Sequence, residues 1–293
     1  MAYSLYSSAK GPRRYWYSAC PKTGTQSLKH IFDQTEFKDI LSVTYIPDDY
    51  PTDTGDQAGT IKWHQPVQGI VQQDEFSYER DHIFATIRNP WARYASYYRY
   101  QKNKCIDKIE AYEAGMSYSE YQTSQIMKDV FGDTTPPVRI EIGSEVVHHS
   151  YCSKEDDVDN KFIDRMTAMR DVMLDSFETL IDHVWYCYGK DLYNDSFSIY
   201  RMPDSLKMMS MTCTPQSLYY QCVTTGQPVH FLKLEDPDMI INFINKHFNI
   251  TVEMPSVNVT GHGEDYKSLY NSRTKEIISI LEADIIRIGS YKY

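Results

Sequence analysis

The stretch from residue 19 to residue 28, Ala-Cys-Pro-Lys-Thr-Gly-Thr-Gln-Ser-Leu, constrains the fold of this chain more than any other segment. An aromatic, strand-like run precedes it at 14–18, and a helical pattern follows it with apolar residues at Leu28, Ile31 and Phe32. A loop between a strand and a helix presents backbone N–H groups at the helix N-terminus, where the macrodipole favours an anion. The segment therefore predicts a cradle for a phosphate group.

The side chains of this loop suit the same ligand. Lys22 adds a cation, and hydroxyl donors follow at Thr23, Thr25 and Ser27. The loop of nucleotide triphosphatases has a different order, with two glycines separated by four residues and followed by Lys and Ser or Thr. Here the single Gly24 comes after the lysine. An ordinary turn would also account for Lys-Thr-Gly-Thr by itself. A second, independent motif is therefore needed to support a phosphate site.

A second junction between a strand and a helix lies further along the chain. The segment 83–87 is short, apolar and rich in isoleucine, which predicts a buried strand. Asn89 is a preferred N-cap and Pro90 fits the first helical position. Arg88 is therefore expected at the carboxyl end of a strand, where open α/β sheets bind ligands, and Ser96 two turns into the helix. Both side chains can donate to a phosphate.

Strand patterns alternate with helical patterns along the chain. Strands are expected at 14–19, 43–46, 60–63, 82–88 and 229–234, and helices at 25–34, 90–103, 238–247 and after a cap at Ser272. This alternation predicts an α/β fold with a mainly parallel central sheet flanked by helices. Since no linker or repeat divides the chain, we expect a single domain over 1–293, with about 104–210 as a helical and loop insertion.

Charge and composition limit the partners. Thirty Lys and Arg against forty Asp and Glu give a net charge of −10, which disfavours nucleic acid, anionic membranes and long polyanionic acceptors. The sequence has neither an apolar run of membrane-spanning length nor a signal-peptide pattern. The six cysteines have no tight spacing, so reduced thiols in a cytoplasmic protein are expected. No His and Cys cluster predicts a metal site.

Together the two junctions resemble the sulfotransferases that use 3′-phosphoadenosine 5′-phosphosulfate (PAPS). Pro-Lys-Thr-Gly-Thr-x-Ser at 21–27 is similar to their loop for the 5′-phosphosulfate. The segment with Arg88 and Ser96 is similar to the one that holds the 3′-phosphate. The end of the chain, 255–291, resembles the carbohydrate-type, heparan 2-O-like branch. The resemblance implies a P-loop-like sulfotransferase fold, with PAPS as donor and 3′-phosphoadenosine 5′-phosphate (PAP) as product.

The resemblance also implies roles for individual residues. Lys22 is expected to stabilise the leaving phosphate oxygens. His64, at the end of the predicted strand Thr60-Ile-Lys-Trp-His64, is the expected general base. Many members of the family that the chain resembles carry a histidine at this place, and a neutral imidazole suits proton removal. Glu75 is a weaker candidate for the base. The expected cofactor-binding residues are Lys22, Thr23, Gly24, Thr25, Gln26, Ser27, Arg88, Ser96, Asn258, Thr260 and His262.

The implied reaction is in-line transfer of a sulfuryl group from PAPS to a hydroxyl acceptor, without a metal ion. The acidic, tyrosine-rich middle of the chain favours a sugar or small alcohol over a highly sulfated polymer. Two alternatives stay open. One is a P-loop kinase, which the missing second glycine and the missing metal carboxylate disfavour. The other is a non-catalytic module that binds a nucleotide or a glycan.

Overall fold

The computed structural model describes residues 2–7, 13–32, 41–44, 67–71, 76–113, 175–189, 213–220, 228–253 and 266–293. The chain divides into two compact units, one formed by 1–99 with 176–293 and the other by 100–175. Every described strand belongs to the first unit. In the second unit the described residues are 100–113, within a helix, and 175. The assignment of 104–210 to an insertion in a single domain stays a prediction.

One sheet contains the strands that the structure describes. They are β1 (Ala2–Ser7), β2 (Arg13–Ser18), β3 (Leu41–Thr44), β4 (Asp81–Ile87) and β5 (Val229–Lys233), in the order β3-β1-β2-β4-β5. β2, β4 and β5 are parallel, and Tyr17, Phe84 and His230 stand level across them. β1 is antiparallel to both β2 and β3. The expected α/β class is confirmed, but parallel pairing extends over three of these strands and the sheet is mixed.

Helices follow the parallel strands. The described helices are α1 (Thr25–Phe32), α2 (Val67–Val71), α3 (Pro90–Glu113), α4 (Phe177–Tyr188), α5 (Gln216–Tyr219), α6 (Pro237–Phe248), α7 (Ser272–Leu281) and α8 (Ala283–Gly289), with a 3₁₀ turn at Tyr266–Leu269. β2 leads into α1, β4 into α3 and β5 into α6, which is the alternation that the sequence predicts. Among these described helices, none combines the length and the apolar composition that crossing a membrane requires.

Asparagine side chains cap the starts of two described helices, α3 and α7. As expected, Asn89 caps α3, and its Oδ1 accepts the Ala92 N–H at 3.2 Å. The expected cap at Ser272 is wrong, because Asn271 is the N-cap of α7. Asn271 Oδ1 accepts the Thr274 N–H at 2.8 Å, and Thr274 Oγ1 accepts the Asn271 N–H at 3.0 Å. This reciprocal pair is a capping box, which Ser272 could not form with its own third neighbour, a lysine.

Apolar side chains cover both faces of the sheet, because neighbouring residues of a strand point to opposite faces. On β2, Tyr15 and Tyr17 belong to one cluster and Trp16 to the other. The first cluster includes side chains of α1 and α6, and the second includes side chains of α2, α5 and α8. Because β2, β4 and β5 are parallel, the loops at their carboxyl ends lie at one edge of the sheet. Open α/β sheets bind ligands at this edge.

Candidate functional site

The loop of residues 19–24 joins the carboxyl end of β2 to α1. Its backbone is left-handed at Lys22 (φ 65°) and at Gly24 (φ 85°), whereas Thr23 between them is not. A left-handed lysine costs on the order of 1 kcal/mol, so other contacts must hold it in place. Alternation of this kind turns successive N–H groups toward one side, as in the nests that bind anions.

Gly24 allows this loop to approach the neighbouring strand ends closely. A Cβ at this position would lie 2.4 Å from Leu234 Cδ1. Leu234 follows β5 and is held there, because its N–H donates to the Ile87 carbonyl at 2.8 Å. The positive φ therefore favours a glycine, and a Cβ would in addition displace the end of the Leu234 side chain.

The first turn of α1 presents its N-terminus beside the loop. The Leu28 N–H donates to the Gly24 carbonyl at 3.1 Å, which starts the helix. The N–H groups of Thr25, Gln26 and Ser27 precede this first intrahelical donor and mark the positive end of the helix dipole. The Ser27 side chain is buried. For Gln26 the described part is the backbone, so the expected role of its side chain stays a prediction.

The hydroxyls of Thr23 and Thr25 shape the loop. They donate to the Cys20 carbonyl at 2.8 and 3.0 Å. Because a hydroxyl has a single hydrogen, this differs from the expectation that both hydroxyls donate to a ligand. Any contribution of these two residues to an anion in this conformation comes through their backbone N–H groups. Their assignment to cofactor binding stays a prediction.

Arg88 lies directly after β4, as expected, and reaches the loop. Its Nη1 donates to the Lys22 carbonyl at 3.3 Å. The Gln216 side chain holds the backbone of Arg88, because Oε1 accepts the Arg88 N–H at 2.9 Å and Nε2 donates to the Arg88 carbonyl at 3.0 Å. Burial lowers the pKa of the Arg88 guanidinium, and the nearby Glu235 carboxylate opposes that shift. Arginine nevertheless stays protonated, so a cation is held at the end of β4.

Glu235, which follows β5, ties the neighbouring strand end to the chain beyond α8. Its Oε1 accepts the Asn89 N–H at 2.7 Å, and its Oε2 accepts the Tyr291 hydroxyl at 2.9 Å. Burial and the Glu235 charge both raise the pKa of Tyr291, so the phenol remains a donor. The ends of β4 and β5 are thereby held together beside the loop.

A buried ion pair lies behind the loop. Arg93, on α3, donates through Nε to the Pro21 carbonyl and through Nη2 to the Thr214 carbonyl, both at 2.9 Å. Its Nη1 lies 3.4 Å from Glu282 Oε1. Glu282 stands between α7 and α8, so the single final helix expected from the sequence is interrupted there. Burial raises the pKa of Glu282, and the Arg93 charge opposes this shift.

Glu282 also caps the short helix α5. Its Oε1 accepts the Gln216 N–H at 2.9 Å, and its Oε2 accepts the Ser217 N–H at 3.0 Å. Gln216 is thus oriented at its backbone by Glu282, and its side chain holds Arg88. The sequence assigns no role to Gln216, Glu282 or Arg93, and the structure connects all three to the loop.

Cys20 lies within the loop of residues 19–24 and is buried. Burial raises the pKa of its thiol to about 12, so the thiolate that a nucleophile requires is scarce at neutral pH. Cys20 and Cys213 are both free cysteines. The full burial of Cys20 suits a packing role.

The other expected site residues are only partly within the described chain. Ser96 lies on α3, two turns after its start, and is buried. The candidate bases and the late loop lie outside the described residues, so the roles of His64, Glu75, Asn258, Thr260 and His262 stay predictions. Within the described ranges, the His, Cys, Asp and Glu side chains form no group of three that could hold a metal ion.

The site is therefore a loop with a helix N-terminus, a lysine and an arginine at the carboxyl ends of parallel strands. Its geometry and the order of its motifs carry the functional argument. No family model, no curated protein and no solved structure matches this chain.

Proposed function

We propose that this chain is a PAPS-dependent sulfotransferase with a P-loop-like sulfotransferase fold. The observation that carries the proposal is the hydrogen bond between Arg88 Nη1 and the Lys22 carbonyl, which spans 66 residues of sequence. The two motifs that resemble the phosphate-binding segments of that family thus meet at one edge of the sheet. They do so because β2 and β4 are adjacent parallel strands, so their carboxyl ends lie side by side.

The chemistry of the donor groups fits a ligand with two separate phosphates. Lys22 and the N-terminus of α1 supply positive charge at the loop, and Arg88 supplies it at the end of β4. The left-handed residues Lys22 and Gly24 shape the loop backbone for an anion. These residues would hold the 5′-phosphosulfate, and Arg88 with Ser96 would hold the 3′-phosphate.

When bound, PAPS supplies a sulfuryl group on a phosphate leaving group. Lys22, which lies on the loop between β2 and α1, would stabilise the negative charge that develops on the leaving oxygen through its ammonium group. The helix dipole of α1 adds to this effect without any reorganisation. His64 is proposed as the base that removes the proton from the acceptor hydroxyl. The proposed acceptor is a sugar or a small alcohol, and the proposed compartment is the cytoplasm.

Transfer of labelled sulfate from PAPS to a mixed library of sugars, phenols and small alcohols tests the proposal. We expect a sulfated hydroxyl product, read by mass spectrometry, with release of PAP and no dependence on added metal. Calorimetry with PAP on the full chain measures binding separately. Binding without transfer to any acceptor would favour the non-catalytic module. Absence of both would overturn the proposal, and transfer of the ATP γ-phosphate with magnesium would favour a kinase.

A further inference from the structure

A closed ring of hydrogen bonds passes through the loop and three other parts of the chain. Arg88 binds the loop on one side, and Arg93 binds it one residue earlier. The Gln216 side chain binds the backbone of Arg88, and the Glu282 carboxylate binds both the Gln216 N–H and Arg93. In order, the ring runs through Lys22, Arg88, Gln216, Glu282, Arg93 and Pro21.

The two arginines determine where the N–H groups of the loop point. In a trans peptide the C=O and the N–H project to opposite sides. Since Arg93 Nε binds the Pro21 carbonyl at 2.9 Å, the N–H of Lys22 points away from Arg93. Since Arg88 Nη1 binds the Lys22 carbonyl at 3.3 Å, the N–H of Thr23 points away from Arg88. The directions of the Lys22 and Thr23 N–H groups in the loop are thus set by two arginines outside the loop.

The shape of the Arg93 side chain is what makes this arrangement feasible. Three of its nitrogens face three different acceptors, the carbonyls of Pro21 and Thr214 and the carboxylate of Glu282. Its charge is compensated by Glu282, and neither side chain reaches solvent to a significant extent. A buried ion pair adds little stability compared with apolar residues of equal volume. The contribution of this pair is the orientation of the groups that it holds.

We propose that Arg93 is a positioning residue of the anion site, which orients the Pro21–Lys22 peptide so that the loop N–H groups face the 5′-phosphosulfate. The inference rests on the proposed function and adds a residue that binds the loop backbone from behind. A lysine at this position would keep the charge opposite Glu282. It would lose the planar fork that reaches the two carbonyls together.

The test compares two ligands by calorimetry on the full chain. PAP carries both phosphates, whereas adenosine 3′-phosphate lacks the 5′-phosphate that the loop would bind. For Arg93→Lys we expect about a tenfold loss of PAP affinity, because hydrogen bonds to charged groups are misaligned. Affinity for adenosine 3′-phosphate should stay within about twofold. Arg273→Lys is the matched control, since Arg273 is exposed on α7.

The outcomes separate the inference from the proposed function. Wild-type protein that fails to bind PAP overturns both. Wild-type binding with unchanged PAP affinity in Arg93→Lys overturns the inference alone, as does an equal loss for both ligands, which indicates general damage to the fold. If Arg93→Lys does not fold by circular dichroism, the uncharged pair R93Q with E282Q replaces it. A larger loss for PAP than for adenosine 3′-phosphate is then expected, because E282Q also weakens the bonds that orient Gln216 behind Arg88.

Discussion

The Arg93 guanidinium and the Glu282 carboxylate lie 3.4 Å apart although 189 residues separate them in the chain. Their side chains are 1% and 0% exposed. Glu282 also accepts bonds from the start of α5. The pair therefore connects α3 both to α5 and to the junction between α7 and α8. Removal of one partner would leave the other charge buried without compensation.

Replacement of Glu282 by alanine should therefore destabilise the fold strongly. We expect a loss of about 3–5 kcal/mol in the free energy of unfolding, because Arg93 cannot move to solvent and two N–H groups lose their acceptor. Urea unfolding followed by circular dichroism measures this. Glu276→Ala, at an exposed position of α7, is the control and should change stability by about 0.5 kcal/mol or less. Equal effects of the two substitutions would contradict the buried pair.

Replacement of Lys22 by glycine should separate activity from stability. The positive φ at Lys22 suits glycine better than lysine. We therefore expect Lys22→Gly to keep the wild-type stability or to gain up to about 1 kcal/mol. Loss of the ammonium group should lower sulfuryl transfer about a hundredfold or more. Melting temperature and turnover are measured on the same preparation. A variant that transfers sulfate at the wild-type rate would remove Lys22 from the chemistry.

Local signals explain the parts of the fold that the sequence predicts. The expected strand 229–234 corresponds to β5, and the start of α3 follows from its cap Asn89. These elements depend on periodicity and on residues a few positions apart. β1 (Ala2–Ser7) is not predicted, because Ala-Tyr-Ser-Leu-Tyr-Ser lacks the alternation of apolar and polar residues that marks a half-buried strand. Its small polar residues give a weak strand signal, and its pairing with β2 and β3 decides the structure.

The sequence predicts the two motifs of the site, but it does not predict the residues that hold them in place. The sequence places Arg88 at a strand end, but it gives no reason to place Gln216 beside its backbone. Such contacts depend on tertiary packing. One signal was present at Glu282, which follows the apolar spacing of Ile278 and Ile285 on the final helices. A carboxylate on an apolar helix face indicates a buried partner, and that partner is Arg93.

Replacement of Gly24 by alanine should damage the loop in two ways. The new Cβ would meet Leu234, and the φ of 85° disfavours any residue with a Cβ. We expect a loss of about 1–3 kcal/mol in stability and weaker PAP binding. The double variant Gly24→Ala with Leu234→Ala relieves the contact but keeps the backbone strain. It should bind PAP more tightly than Gly24→Ala does, and more weakly than Leu234→Ala does. Wild-type binding by Gly24→Ala would contradict this loop geometry.

Asp81, at the amino end of β4, should make stability depend on acid pH. Its carboxylate accepts bonds from Arg14 Nη2 at 2.6 Å and from Trp16 Nε1 at 2.9 Å. Burial alone would raise the pKa of Asp81, but hydrogen bonds from Arg80, Arg14, Trp16 and the Ser77 N–H lower it from 3.8 to about 2. The folded state thus binds the Asp81 proton more weakly than the unfolded state does.

A depressed pKa in the folded state contributes stability above the unfolded pKa of 3.8 and loses it as the pH falls toward 2. The shift corresponds to about 2 kcal/mol at neutral pH. Urea unfolding of the wild type between pH 6 and pH 2 should show this loss, and Asp81→Asn should be less stable at pH 6 with a shallower acid slope. Asp284→Asn, at an exposed position, is the matched control for the loss of one carboxylate. Since the variants differ by one titrating group each, identical slopes in the wild type and in Asp81→Asn would assign the acid sensitivity to other carboxylates.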